Sequence, residues 1–165
     1  MRNLTFIFSV LITIGFYSCK PTQQSTGSKY NRKSNKKEVK STKVLNKAYE
    51  YMGTPHRLGG TTKRGIDCSG LVYVSYQSVK IALPRNTSGL YKTGRRIRMN
   101  ELQTGDLLFF RQPKGKKITH VGLVSKINNK NSVIFIHASS SKGVREDDLF
   151  SDYWKKYFVS ARRVL

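Results

Sequence analysis

Apolar positions change their spacing along this chain and so divide it into stretches. Residues 4–17 form an almost unbroken apolar run without a charge, preceded by Met1-Arg2-Asn3. Residues 20–40 are polar and basic and nearly lack large aliphatics. Val44, Leu45, Ala48, Tyr49 and Met52 then recur at helical spacing, which predicts a first helix that Gly53 ends. Residues 54–67, rich in Gly and Thr, read as a loop. A second helix is expected from Cys68 to Lys80, with Leu71, Val72, Tyr76 and Val79 on one stripe and Asp67 at the N-cap. Beyond Leu83-Pro84 the pattern becomes that of strands, at residues 106–111, 118–127, 132–138 and 157–164. Asn128-Asn129-Lys130-Asn131 supplies a hairpin turn between the second and third. Helices first and an antiparallel sheet afterwards is an α+β order.

The N-terminal run is too short to span a bilayer, which needs about 20 apolar residues. With its positive start it fits an export signal over residues 1–18. Ser18-Cys19-Lys20 is similar to a lipoprotein processing site, where cleavage precedes Cys19 and its thiol takes the lipid. Residues 19–40 are then a lipidated cysteine and a flexible basic tether, whose composition cannot offset the entropy of ordering. It is either a spacer that adheres to anionic surfaces or a passive linker. The folded domain is expected over residues 41–165, a size that allows one core and not two. On this reading the protein is expected in the cell envelope, exported and lipid-anchored, on the periplasmic side of the outer membrane; plain secretion or an uncleaved anchor is the alternative, and either still exports the rest.

Charge acquires meaning from that location. The chain carries 31 Lys+Arg against 9 Asp+Glu, a formal net charge of +22. Such a balance draws polyanions. Export removes nucleic acid as a partner and leaves anionic lipid and acidic wall polymers. Nothing in the sequence bears on the oligomeric state.

Export also sharpens the cysteines, of which there are two. If Cys19 carries lipid, Cys68 stands alone in an oxidising compartment, where a free thiol is a hazard unless buried or used. Cys68 opens the second helix. Unpaired amides and the positive dipole end there lower a thiol pKa, and the same amides suit an oxyanion. The bland alternative is a small buried apolar residue.

The chain has three histidines, His56, His120 and His137. A two-residue loop at Asn128-Asn129 sets His120 directly opposite His137. A four-residue loop makes them diagonal neighbours on one face, and a three-residue loop separates them. Opposite and diagonal partners have Cβ atoms roughly 4.5–8 Å apart. Cysteine, histidine and a second group orienting that histidine form the nucleophile–base–orienter arrangement. A zinc site on Cys68, His120 and His137, with or without His56, has suitable ligand types but none of the close ligand spacings.

Several of these residues lie in short motifs. Gly53-Thr54-Pro55 leading to Arg57-Leu58-Gly59-Gly60, then Asp67-Cys68-Ser69-Gly70-Leu71, resemble the NlpC-type cell-wall peptidase family. So do Leu83-Pro84-Arg85, Gly105-Asp106-Leu107-Leu108-Phe109-Phe110, His120-Val121-Gly122 and Ile136-His137-Ala138, in the family's order and over nearly all of residues 45–165. The resemblance implies a papain-like α+β fold with Cys68 as nucleophile, His120 as base and His137 as the orienting residue. It implies hydrolysis of an amide bond in peptidoglycan stem peptides, commonly between D-γ-glutamyl and a diamino acid, with no metal and no cofactor. Asp67 and Ser69 are expected at the substrate, or else as N-cap and first-turn residues. The family usually has Tyr where this chain has His56, so His56 is expected to replace that contact or alter substrate preference. The rival class is a non-catalytic wall-binding module on the same fold; a lipase or acyltransferase on it is a further possibility.

Overall fold

The computed structural model describes residues 28–165. The expected signal segment, Cys19 and the first part of the expected tether lie outside the described residues. The elements run α1 (Ser28–Tyr49), β1 (Thr61–Thr62), β2 (Gly65–Ile66), α2 (Cys68–Gln77), α3 (Thr87–Tyr91), β3 (Arg95–Ile97), β4 (Leu107–Arg111), β5 (Ile118–Asn129), β6 (Ser132–Ser139), β7 (Gly143–Asp148), α4 (Asp152–Tyr157) and β8 (Phe158–Arg163). β1 and β2 make a small hairpin, and six strands form an antiparallel sheet in the order β3-β8-β4-β5-β6-β7. This is the expected α+β architecture.

Side-chain alternation along β4 explains why Leu107-Leu108-Phe109-Phe110 is apolar throughout. Leu107 and Phe109 join Val121, Leu123, Ile136 and Ala138 beneath α1 and α2. Leu108 and Phe110 join Val133, Phe135 and Ala161 on the other face, against Trp154 of α4 and Phe158. A strand covered on both faces has no polar face to show. At the end of β4, Arg163 is 7% exposed and grips Asp106, with Nε to Oδ1 and a terminal nitrogen to Oδ2, both at 2.7 Å.

Helix α1 departs from expectation at both ends. It begins at Ser28, so residues 28–40 of the expected tether are helical. No Gly or Pro stands between Gly27 and Gly53. Once Val44, Leu45 and Ala48 are packed, a helix extends N-terminally without a second nucleation. At its other end α1 stops at Tyr49, three residues before the expected limit. Tyr51 therefore enters the core while Met52 stays exposed. α2 likewise stops at Gln77 rather than Lys80.

The β5–β6 hairpin turns tightly. Asn129 pairs with Ser132, so the loop is Lys130-Asn131, beginning two positions later than the loops expected from sequence. Two bulges follow on β5, leaving Ser125 and Asn128 without partners, and the pairing becomes Val124↔Phe135 and Leu123↔Ile136. That is the register of a four-residue loop. Each bulge turns later side chains to the other face, and two restore it. His120 and His137 are thus diagonal neighbours on one face.

Candidate active site

The first turn of α2 is fixed from its own sequence. Asp67 caps it, with Oδ1 accepting from Gly70 N at 2.6 Å. The same oxygen accepts from Ser69 Oγ at 2.9 Å and from Arg85 at 2.8 Å, while Oδ2 accepts from Gly59 N and from Arg85. Gly70 is required there, because a Cβ would lie 2.2 Å from Gly60 O and 2.8 Å from the Arg85 guanidinium. Although burial opposes it, these donors hold the Asp67 carboxyl below its ordinary range. Five donors use most of what a carboxylate offers. The structure therefore gives Asp67 and buried Ser69 a cap-and-lock role, although both border the cleft.

Cys68 opens α2 with Sγ over the stretch of β5 that flanks His120. The sulfur lies 4.0 Å from Thr119 O and 4.0 Å from Thr87 Oγ1 of α3. The helix start was expected to lower its pKa, and here burial outweighs that effect. Burial raises the thiol above its ordinary value, aided by the Asp67 charge and opposed by the Val121 amide, the Thr87 hydroxyl and the Ser69 amide. Among the described residues, no hydrogen bond joins Sγ to the His120 ring.

His120 projects from β5 and its ring Nε2 meets His137 Nδ1 at 2.9 Å. Trp154 stacks on the His120 ring, with centroids 5.4 Å apart and planes at 24°. Burial, with the neighbouring His137 and His56, depresses His120 from 6.5 to about 3. His137 is 1% exposed and packs face to face with Phe135. Burial lowers its pKa as well, against the pull of Asp147. Both imidazoles are neutral at pH 7. Gly122 leaves the space Phe135 needs, because a Cβ there would sit 2.5 Å from its ring.

Sequence reasoning did not find the next residue. His137 Nε2 meets Asp147 Oδ2 on β7 at 2.9 Å, Trp154 Nε1 donates to the same oxygen at 3.1 Å, and Arg145 pairs with Oδ1. The signal available was a third run pairing with β6 through the turn before Gly143. Its sequence Gly-Val-Arg-Glu-Asp-Asp is charged and reads poorly as a strand.

Cys68, His120, His137 and Asp147 border one cleft of about 660 Å³. His56, half-buried and bridged to Ile66, stands on its wall, and strongly exposed Leu58 on its rim. The site can hold a peptide chain beside a thiol, an imidazole and the first-turn amides of α2. Among the described residues, no three His, Cys, Asp or Glu side chains are placed to hold a metal ion. His120 and His137 spend ring nitrogens on one another instead. Among the described residues no helix is long and apolar enough to cross a membrane.

Comparison with known proteins finds relatives of one family. Residues 53–163 match the model of the NlpC/P60 family. The chain is 44% identical over 113 residues to the probable endopeptidase NlpC of Escherichia coli K12, covering 68% of this chain and 70% of that one. It is 40% identical over 129 residues to the murein DD-endopeptidase MepS/murein LD-carboxypeptidase of the same strain, covering 78% and 64%. The crystal structure of an NlpC/P60 family protein from Bacillus cereus ATCC 10987 aligns with TM-score 0.68 and 28% identity, over 76% of this chain and 40% of that one.

Proposed function

The chain belongs to the NlpC/P60 family, and on that premise we propose that it is a peptidoglycan endopeptidase working through a cysteine thiol. Cys68 is the nucleophile, His120 the base and His137 the residue that orients it. The observation carrying this reading is the 2.9 Å His120–His137 contact, in the cleft that Cys68 enters from the start of α2. Relatives named for murein endopeptidase activity support the substrate class.

The resting pair is a neutral thiol and a neutral imidazole. Forming thiolate and imidazolium together is easier than forming either alone, because each charge offsets part of the other's desolvation. Apo geometry at such sites is commonly loose and tightens with substrate. His120 takes the thiol proton as Sγ attacks a stem-peptide carbonyl. The Cys68 amide, at a helix position with no carbonyl partner, faces the developing oxyanion. The protonated imidazole then returns its proton to the leaving amine, and water releases the acyl group. His56 and the cleft's outer wall contact the peptide, while Asp67 and Ser69 keep the nucleophile's turn in place.

Anchoring through a lipid on Cys19, with residues 1–18 removed on export, completes the reading. It places the enzyme in the envelope, on the periplasmic side of the outer membrane. Ser18-Cys19 and the basic stretch after it support this.

Mass spectrometry of muropeptides before and after incubation is the test. The expected products come from cleavage between D-γ-glutamyl and the diamino acid, and masses from a cut cross-link would assign a DD specificity instead. Cys68→Ala should release nothing. If Cys68→Ala solubilised fragments at the wild-type rate, the nucleophile would be wrong. Wall binding without cleavage by the wild type would make the protein a binding module.

A further inference from the structure

We propose that Asp147 is a positioning residue for this site: its carboxylate fixes the hydrogen positions on both histidines, leaving His120 Nδ1 as the proton-accepting atom. The inference rests on the reading of His120 as base.

Its first support is the sheet register. Continued three residues past the last β5–β6 pair, Leu123↔Ile136, the register sets His120 opposite Ser139. On the other side of β6, His137 pairs with Arg145 and Phe135 with Asp147. From β5 through β6 to β7, then, His120, His137 and Asp147 each sit one strand across and two residues along. The three fall on one diagonal of the same face, which brings their polar atoms end to end at 2.9 and 2.9 Å.

Its second support is donor bookkeeping. A carboxylate only accepts, so His137 Nε2 carries the hydrogen that points at Asp147 Oδ2. A neutral imidazole has one N–H, so His137 Nδ1 is then a lone pair. That lone pair needs a donor, and the atom 2.9 Å away is His120 Nε2. His120 therefore carries its hydrogen on Nε2, and its Nδ1 is unprotonated. Reversing the chain would put a hydrogen on His120 Nδ1 and remove the acceptor. Asp147 itself is held on both oxygens, by Arg145 on Oδ1 and by Trp154 Nε1 beside His137 on Oδ2. Because Trp154 also stacks on His120, one indole fixes the orientation of both ends.

Ring-nitrogen NMR and steady-state kinetics, on the wild type and two variants, test this. Ring nitrogen NMR shifts of the wild type, with 15N-histidine incorporated, should show both His120 and His137 as Nε2–H tautomers at pH 7. An Nδ1–H signal for His120 would overturn the proposal whether or not any substrate is cleaved, so its failure is distinct from failure of the peptidase reading. The variant is Asp147→Asn, whose amide can present either a donor or an acceptor. It should mix the tautomers and lower kcat about 10- to 100-fold with KM little changed, the scale known for loss of a partner that orients a metal-ligating histidine. Trp154→Phe, which keeps the stacked ring and loses the N–H, should show a smaller loss in kcat. Unchanged tautomers and kcat in Asp147→Asn would refute the positioning role. A change in KM alone would likewise refute it, since that would make Asp147 a substrate contact.

Discussion

Two buried neutral histidines make acid stability a direct readout of this site. Unfolded, each takes its proton near pH 6.5; folded, His120 does so only near 3, and His137 is depressed as well. In the window between, the unfolded state binds more protons. Stability is thus full above pH 6.5 and lost as pH falls below it. For His120 alone the loss between pH 7.5 and 5 is about 2 kcal/mol, with a limiting slope of about 1.4 kcal/mol per pH unit. His137 adds to it with the same sign. Asp67 is depressed too, but an acid contributes in a lower window, below its unfolded pKa, so the slope above pH 5 belongs to the histidines. The assay is urea unfolding at pH 7.5, 6.5, 5.5 and 5.0, followed by fluorescence of Trp154, the chain's single tryptophan. His120→Asn, which has no proton to take, should flatten the slope by its share even if it is less stable throughout. A stability constant from pH 7.5 to 5, or an unchanged slope in the variant, would refute the buried-neutral assignment.

Alkylation of Cys68 by iodoacetamide should be slow at pH 7.5 and rise close to tenfold per pH unit toward pH 9, because burial raises the thiol. A fast reaction already complete at pH 6 would instead reveal a resting thiolate–imidazolium pair. Arg163→Met or Asp106→Asn leaves one partner of a buried, doubly bonded pair alone and should cost about 3–5 kcal/mol by denaturant unfolding. A loss under 1 kcal/mol would mean that water reaches the remaining group. Gly122→Ala forces Phe135 off its place against His137 and should cost about 1–3 kcal/mol, with activity at 25 °C falling further than the folded fraction does. Wild-type activity in a folded Gly122→Ala protein would separate Phe135 from the site.

What could be read in advance depended on whether a feature was local. The start of α2 was legible because a cap residue, a cysteine and a stripe at helical spacing are neighbours in sequence. So was the strand character of residues 106–111, whose apolar run reflects two covered faces. The limits of α1 were not, since its N-terminal extension depends on the absence of breakers rather than on any apolar signal. Asp147 was invisible for a related reason. Its strand is an edge strand built from Arg, Glu and Asp, and those charges are ordered by His137, Arg145 and Trp154 rather than by backbone preference. The thiol was misjudged because a helix start is visible in sequence while its burial depends on Thr87 and β5, 19 or more residues away.

The histidine pair shows how a correct contact can follow from an incorrect loop. The diagonal arrangement was one of the outcomes weighed for a hairpin closed at the asparagines, and the actual loop would not produce it alone. Closing at Lys130-Asn131 and running without bulges, the register Asn129↔Ser132 would carry His120 two residues further from His137 than it is. The extra residues at Ser125 and Asn128 take up that offset. Their number matters more than their position. A single bulge would have turned His120 through the sheet toward α2, away from Trp154 and Asp147. An even number keeps it on the face where those groups wait. Ser125 is also tied down, its hydroxyl donating to Glu146, which in turn accepts from Tyr49 at the end of α1. The helix that packs behind the sheet thereby helps to hold the bulge on which the register of the site depends.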